Sequence, residues 1–211
     1  MKYESLIFDI DGTLWDSRAI VAEGYNLQLH DEGMDDRFVT AEILRPLFGK
    51  VMTEIADILF PDIPPEPRYA LMERCMEREN RHILANCRDF SYDGIRQALT
   101  ELSKSHRLFI VSNSQCGYPE LCMKFVGLEG LILDHLCFGD TGTEKAETIR
   151  RLMERNAITS AAYIGDTQGD RDAARGAGID FIWASYGFGV PSDYDLKIDS
   201  PMDLIAQKDS L

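Results

Sequence analysis

Apolar positions along the chain follow two patterns. Leu6-Ile7-Phe8, Leu108 to Val111 and Ala161 to Ile164 are continuous apolar runs, too short for helices, and each stops abruptly at polar residues. Such runs read as strands buried on both faces of a parallel sheet. They deliver Asp9, Ser112-Asn113 and Gly165-Asp166 to their carboxyl ends, where ligands bind in open α/β sheets. Between them apolar residues recur at helical spacing. The pattern predicts helices over 94–104, over 118–126 with Gly127 as its stop, over 143–155 with Thr143 as N-cap, and near 170 and 201–207. Further short strands are expected at 136–138, 179–184 and 196–198. This alternation predicts an α/β fold: a doubly wound (Rossmann-like) three-layer core.

One stretch departs from the alternation. From 17 to 88 the pattern gives helices only, at 20–29, 41–48, 52–60 and 68–85, joined in part by the proline-rich link Phe60-Pro61-Asp62-Ile63-Pro64-Pro65-Glu66-Pro67. The expected organisation is therefore a core of residues 1–16 and 89–211, with an all-helical insertion, 17–88, after the first strand. Trp15 to Ser17 and Arg88 to Asp93 are the crossings, which together make a hinge. Gly187-Phe188-Gly189 is too short for a dinucleotide fingerprint and reads as a turn.

Composition narrows the function. The 211 residues are 45% hydrophobic and carry a formal net charge of -14, which leaves no basic footprint for nucleic acid or an anionic membrane surface. No apolar run reaches transmembrane length and no signal-peptide core precedes Asp9, so a cytoplasmic protein is expected. Cys75, Cys87, Cys116, Cys122 and Cys137 form no CxxC pair and read as structural thiols, while His30, His82, His106 and His135 lack metal-site spacing.

The chemistry concentrates in Phe8-Asp9-Ile10-Asp11-Gly12-Thr13. Two carboxylates separated by one residue on an extended segment share a face, within reach of one ligand group. Lys145 stands in the first turn of its helix, where a cation opposes the helix dipole; either it faces an anionic group or it is a solvated helix residue.

In order along the chain, Asp9-x-Asp11-Gly12-Thr13, Ser112-Asn113, Lys145, and Gly165-Asp166 with Asp170 resemble the four motifs of the haloacid dehalogenase superfamily. The resemblance spans nearly the whole chain and looks most like phosphoglycolate phosphatases and related small-metabolite phosphatases. It implies a magnesium-dependent phosphatase acting on a small phosphorylated metabolite. Asp9 would attack phosphorus to give an aspartyl phosphate, and Asp11 would protonate the leaving alkoxide and then activate water. Ser112 and the Asn113 amide would bind phosphoryl oxygens, with Lys145 neutralising charge. Asp9, the Asp11 carbonyl and Asp166 would hold Mg2+, with Asp170 completing the acidic set just outside it.

The pattern also departs from the family. Lys145 is followed by Ala146 where many relatives have proline, and Tyr92-Asp93-Gly94 stands where a Pro-Gly pair is common. Asp11 separates this chain from the dehalogenases, whose halide leaves without a proton. The alternatives are a phosphosugar mutase, a pyrophosphatase, and a catalytically silent phosphate-binding or phosphoacceptor protein. In such enzymes the helical insertion is a cap that opens and closes and selects substrate. Arg45 and Lys50, where a helix breaks at Gly49, are either contacts for a second anionic group on the substrate or solvent-facing charges. Asp16, Arg171 and Asp172 have weaker claims to a site role. The oligomeric state stays open between monomer and dimer.

Overall fold

A computed structural model describes residues 2–86, 88–208 and 211, so Cys87 lies outside the described residues. Strand β1 (Ser5–Phe8) leads into helices α1 (Arg18–Asp31), α2 (Ala41–Leu44), α3 (Met52–Leu59) and α4 (Pro65–Asn86). After these come α5 (Ile95–Leu102), β2 (Arg107–Ser112), α6 (Tyr118–Val126), β3 (Ile132–Cys137), α7 (Phe138–Thr141) and α8 (Lys145–Arg155). The chain continues through β4 (Ala161–Gly165), α9 (Gln168–Ala177), β5 (Asp180–Ala184), β6 (Leu196–Ile198) and α10 (Asp203–Ala206).

The strands form a parallel six-stranded sheet in the order β3-β2-β1-β4-β5-β6, the doubly wound order. Alternate residues of each strand point to opposite faces, and both faces are covered. Leu6, Phe8, Leu108, Ile110 and Ile164 pack with α5, α6 and α10; Ile7, Phe109, Val111, Tyr163 and Phe181 pack with α8 and α9. The strand order turns at β1, so the ends of β1, β2 and β4 open one crevice. Among the described residues no helix is long and apolar enough to cross a membrane.

Several expected boundaries move for local reasons. Helix α8 starts at Lys145 with Glu144 as N-cap, because the Thr143 hydroxyl lies beside that of Thr148 and caps nothing. Helix α2 stops at Leu44, short of the expected 48, since Pro46 brings no N–H to continue the ladder. Helix α4 takes in Pro65 and Pro67, whose missing N–H groups are orphans in a first turn anyway. Phe138, expected in a strand, instead opens α7, where the Asp140 carboxylate accepts from the Cys137 amide at 2.8 Å. Helix α9 begins at Gln168, two residues before Asp170, because Thr167 is the N-cap and Asp170 reciprocates in a capping box. Cys75, Cys122 and Cys137 are buried and Cys116 is exposed.

Candidate active site

Asp9 follows β1 and continues its ladder, the amide donating to the Ile164 carbonyl at 2.8 Å, so the side chain is aimed by the sheet itself. It is 3% exposed. From the first turn of α8, Lys145 Nζ donates to Asp9 Oδ1 at 2.9 Å and to Asp170 Oδ1 at 2.6 Å. The lysine that opposes the helix dipole thus faces two carboxylates, which answers the choice left open by its position. Tyr163 donates to the Val111 carbonyl at 2.7 Å and stands 3.4 Å from Asp9 Oδ1.

Asp166 and Asp170 come from the end of β4 and the first turn of α9, and both are fully buried. Asp166 Oδ2 accepts from the Phe188 amide at 2.6 Å, while Oδ1 is buried without a partner. Asp170 is fully engaged: Oδ1 by Lys145, and Oδ2 by the Asp166 amide at 3.2 Å, the Thr167 amide at 3.0 Å and the Thr167 hydroxyl at 2.7 Å. The turn at Gly187-Phe188-Gly189 is therefore part of the site. A Cβ at Gly187 would stand 2.4 Å from both the Asp166 Cβ and the Gly12 carbonyl oxygen, so only glycine lets this loop close on the acid.

Three buried carboxylates cluster near one ammonium, which bonds two of them. Burial and the neighbouring Asp170 push Asp9 up to about 7 against the pull of Lys145. Asp166 is pushed well above the carboxylate range by burial, then by Asp170 and Asp9. Burial works to lower Lys145, but Asp170 and Asp9 more than offset it and hold the ammonium charged. Ligand atoms of Asp9, Asp166 and Asp170 lie within 4.8 Å of one another. An oxygen-only donor set, excess negative charge and an unpartnered buried Asp166 Oδ1 fit a hard divalent cation such as magnesium.

Asp11 differs from Asp9 in its partners. Its Oδ1 accepts from Trp15 Nε1 at 3.0 Å, Ser17 Oγ at 2.7 Å and Tyr118 Oη at 2.7 Å. Its enclosed position raises the carboxyl to about 6, with Ser17, Tyr118 and Trp15 each working to lower it. None of these three donors stood out in the sequence. Trp15 and Ser17 looked like a linker and Tyr118 like a helix start; the available signal was a tryptophan and a tyrosine, whose polar tips need partners when buried.

Ser112 ends β2 with its hydroxyl accepting from the Ser114 amide at 3.2 Å, and Asn113 Nδ2 donates to the Gly49 carbonyl at 2.7 Å. Asn113 Oδ1 and Ser114 Oγ are buried and unpartnered. Asp9, Asp11, Ser112, Asn113 and Lys50 line one cavity of about 20 Å³, room for about one water. Lys50 also pairs with Glu54 at 3.6 Å. Arg45 is not in that cavity: it is exposed and borders an outer groove with Thr167, Gln168 and Phe188. Asp16 pairs with Arg18 at 2.7 Å, and Arg171 pairs with Asp172 and Asp193, so these charges are spent on one another.

Comparison with known proteins gives the same motifs a context. The family model for haloacid dehalogenase-like hydrolases matches residues 6–184. Phosphoglycolate phosphatase of Xanthomonas campestris is 26% identical over 92% of this chain and 88% of its own length. N-acetylmuramic acid 6-phosphate phosphatase of Pseudomonas putida is 23% identical over 97% of this chain and 95% of its own. A predicted phosphoglycolate phosphatase from Haemophilus somnus shares the fold at a TM-score of 0.83, with 19% identity and 99% of each chain covered. The matched residues include the ends of β1, β2 and β4 and the lysine that joins them, and the chain belongs to the haloacid dehalogenase-like hydrolase family, as an enzyme of its phosphatase type.

Proposed function

We propose that the chain hydrolyses a small-molecule phosphate monoester, of the size of phosphoglycolate, through an aspartyl phosphate on Asp9. The observation that carries this reading is the bridge from Lys145 to Asp9 and Asp170, which draws motifs from three distant segments together on one ammonium. Monoester hydrolysis is very slow without catalysis, so a site needs an in-line nucleophile, charge neutralisation and a proton for the leaving oxygen. Asp9 is the nucleophile at the strand end. Lys145 pulls it toward the ionised form and would neutralise the phosphoryl oxygens, with Ser112 and the Asn113 amide as further donors. Asp11, raised to about 6 with three donors on Oδ1, can carry its proton on the other oxygen at neutral pH, give it to the departing alkoxide and take one from water afterwards. Magnesium would be held by Asp9, the Asp11 carbonyl and Asp166, and would supply charge neutralisation on the transferring group. Both Asp170 oxygens are already engaged, so its part is to position Lys145 and the Asp166 segment.

Residues 17–88 act in this reading as a cap domain on the core of 1–16 and 89–211. A cavity of about 20 Å³ admits a substrate only when the cap swings away. The test is phosphate release from a panel of small esters and pyrophosphate with magnesium and with chelator. Release should need magnesium and vanish in Asp9→Asn. Asp11→Asn should slow alkyl phosphates far more than p-nitrophenyl phosphate, whose leaving group needs no proton; equal losses would remove Asp11 from the acid role.

A further inference from the structure

Part of the cavity's lining comes from the helical insertion, and one of those residues takes no part in the chemistry above. Glu79 lies in the body of α4 and is 3% exposed. Gln115 Nε2 donates to its Oε1 at 3.2 Å and to Asn80 Oδ1 at 3.0 Å, while Asn80 Nδ2 donates to the Cys116 carbonyl at 3.1 Å. The segment just after β2 is thus tied to two successive residues of α4. The groups acting on Glu79 are Gln115, Tyr25 and, through space, Asp11; burial raises its carboxyl to about 8. Glu79, Tyr25, Gln115 and Tyr118 line the same cavity as Asp9 and Asp11.

A substrate bound at Asp9 and Asp11 when the cap moves to admit it would have Tyr118, Gln115 and the buried acid Glu79 on the same lining. Lys50, the cation on this lining, is already paired with Glu54. A carboxylate on the substrate would bring an unpaired charge into an enclosed site whose acid is held neutral, and burying a charge without a counter-ion is costly. A hydroxyl both donates and accepts, so it satisfies Glu79 in either protonation state.

We propose that Glu79 is a specificity residue that hydrogen-bonds a hydroxyl on the alcohol part of the ester, so that the preferred substrates are polyol or sugar phosphates and carboxylated esters are disfavoured. This rests on the phosphatase reading and selects within it. Leaving a buried acid facing an incompatible group typically costs tenfold or more in discrimination.

The experiment compares kcat/KM for glycerol 3-phosphate, phosphoglycolate and p-nitrophenyl phosphate in wild type, Glu79→Gln and Glu79→Leu. Wild type should favour glycerol 3-phosphate over phosphoglycolate by about tenfold or more. Glu79→Leu should erase that preference while p-nitrophenyl phosphate turnover stays within about threefold, and Glu79→Gln, which keeps a hydrogen-bonding head, should fall between. A wild-type preference for phosphoglycolate overturns the proposal even if both variants fail to fold. So does an unchanged ratio in both variants. Magnesium-supplied wild type that releases phosphate from none of the three esters overturns the phosphatase reading, and this inference with it.

Discussion

Two carboxyl groups, Asp166 in the core and Glu79 in the helical insertion, are equally hidden from water and answer to different constraints. Asp166 sits among two other acids, one lysine and a backbone amide, and keeps one oxygen bare. Glu79 has an amide partner and a tyrosine beside it, and lines the cavity from α4. The first environment is a charge trap that needs a cation; the second is a polar spot that favours a neutral acid. The contrast is what the proposal predicts: reaction chemistry in the core and choice of substrate in the insertion.

The largest expected effect would break the contrast from the core side. Asp9→Asn should lower phosphate release by about a thousandfold or more, measured with magnesium on any accepted ester, because no other group replaces the nucleophile. A loss below about tenfold would place the chemistry elsewhere. Lys145→Met should follow. It leaves Asp9 and Asp170 buried without their shared cation, which should cost about 3–5 kcal/mol in denaturant unfolding. Equal midpoints for variant and wild type would show that the ammonium carries no such burden.

Smaller effects sharpen the comparison. Magnesium at a hundred times its Kd should stabilise the wild type by about 2.7 kcal/mol, seen as a Tm rise reversed by chelator, and Asp166→Asn should abolish the rise. A Tm indifferent to magnesium in both proteins would leave the acidic cluster without its proposed ligand. On the insertion side the effect is gentler and depends on pH. The Glu79 carboxyl ordinarily titrates near 4.5 and is pushed up to about 8 in the fold by burial. Between those values the unfolded chain has lost a proton that the folded chain keeps, so stability falls as pH rises from about 4.5 to about 8. Asp9 and Asp11, raised to about 7 and about 6, tilt the curve the same way in the absence of metal. Glu79→Gln should make the decline visibly shallower without removing it, since Asp9 and Asp11 still contribute. Parallel curves for variant and wild type would mean that Glu79 is ionised in the fold.

Most of the core could be read from the chain because its signals are local. Apolar runs that end in Asp9, Ser112 and Asp166 are visible without a partner in view, and both α6 with Gly127 and β6 fall where the pattern puts them. Lys145 was legible as a misfit in its own helix. What stayed hidden depends on distant meetings. Tyr118 reaches Asp11 across 107 positions, and Phe188 gives its amide to Asp166 from a turn that looks like a connector. Glu79 is one glutamate among several charged residues on α4, and only packing against the core separates it from its solvated neighbours. Arg45 and Lys50 show the converse: both sit near the break after α2 and border the outer groove, yet only Lys50 also reaches the cavity, because how far each side chain reaches is settled by tertiary packing.

The placement of β1 orders the site in time. The strand that leads to Asp9 precedes both of its partners, pairing on one side with β2, about a hundred residues later, and on the other with β4, later still. Lys145, Asp166 and the Phe188 amide are made later than β2. While the chain is being synthesised, Asp9 therefore waits as an ordinary exposed acid. It becomes a perturbed group only when α8 and α9 bring Lys145 and Asp170 against it, so its altered chemistry belongs to the finished sheet.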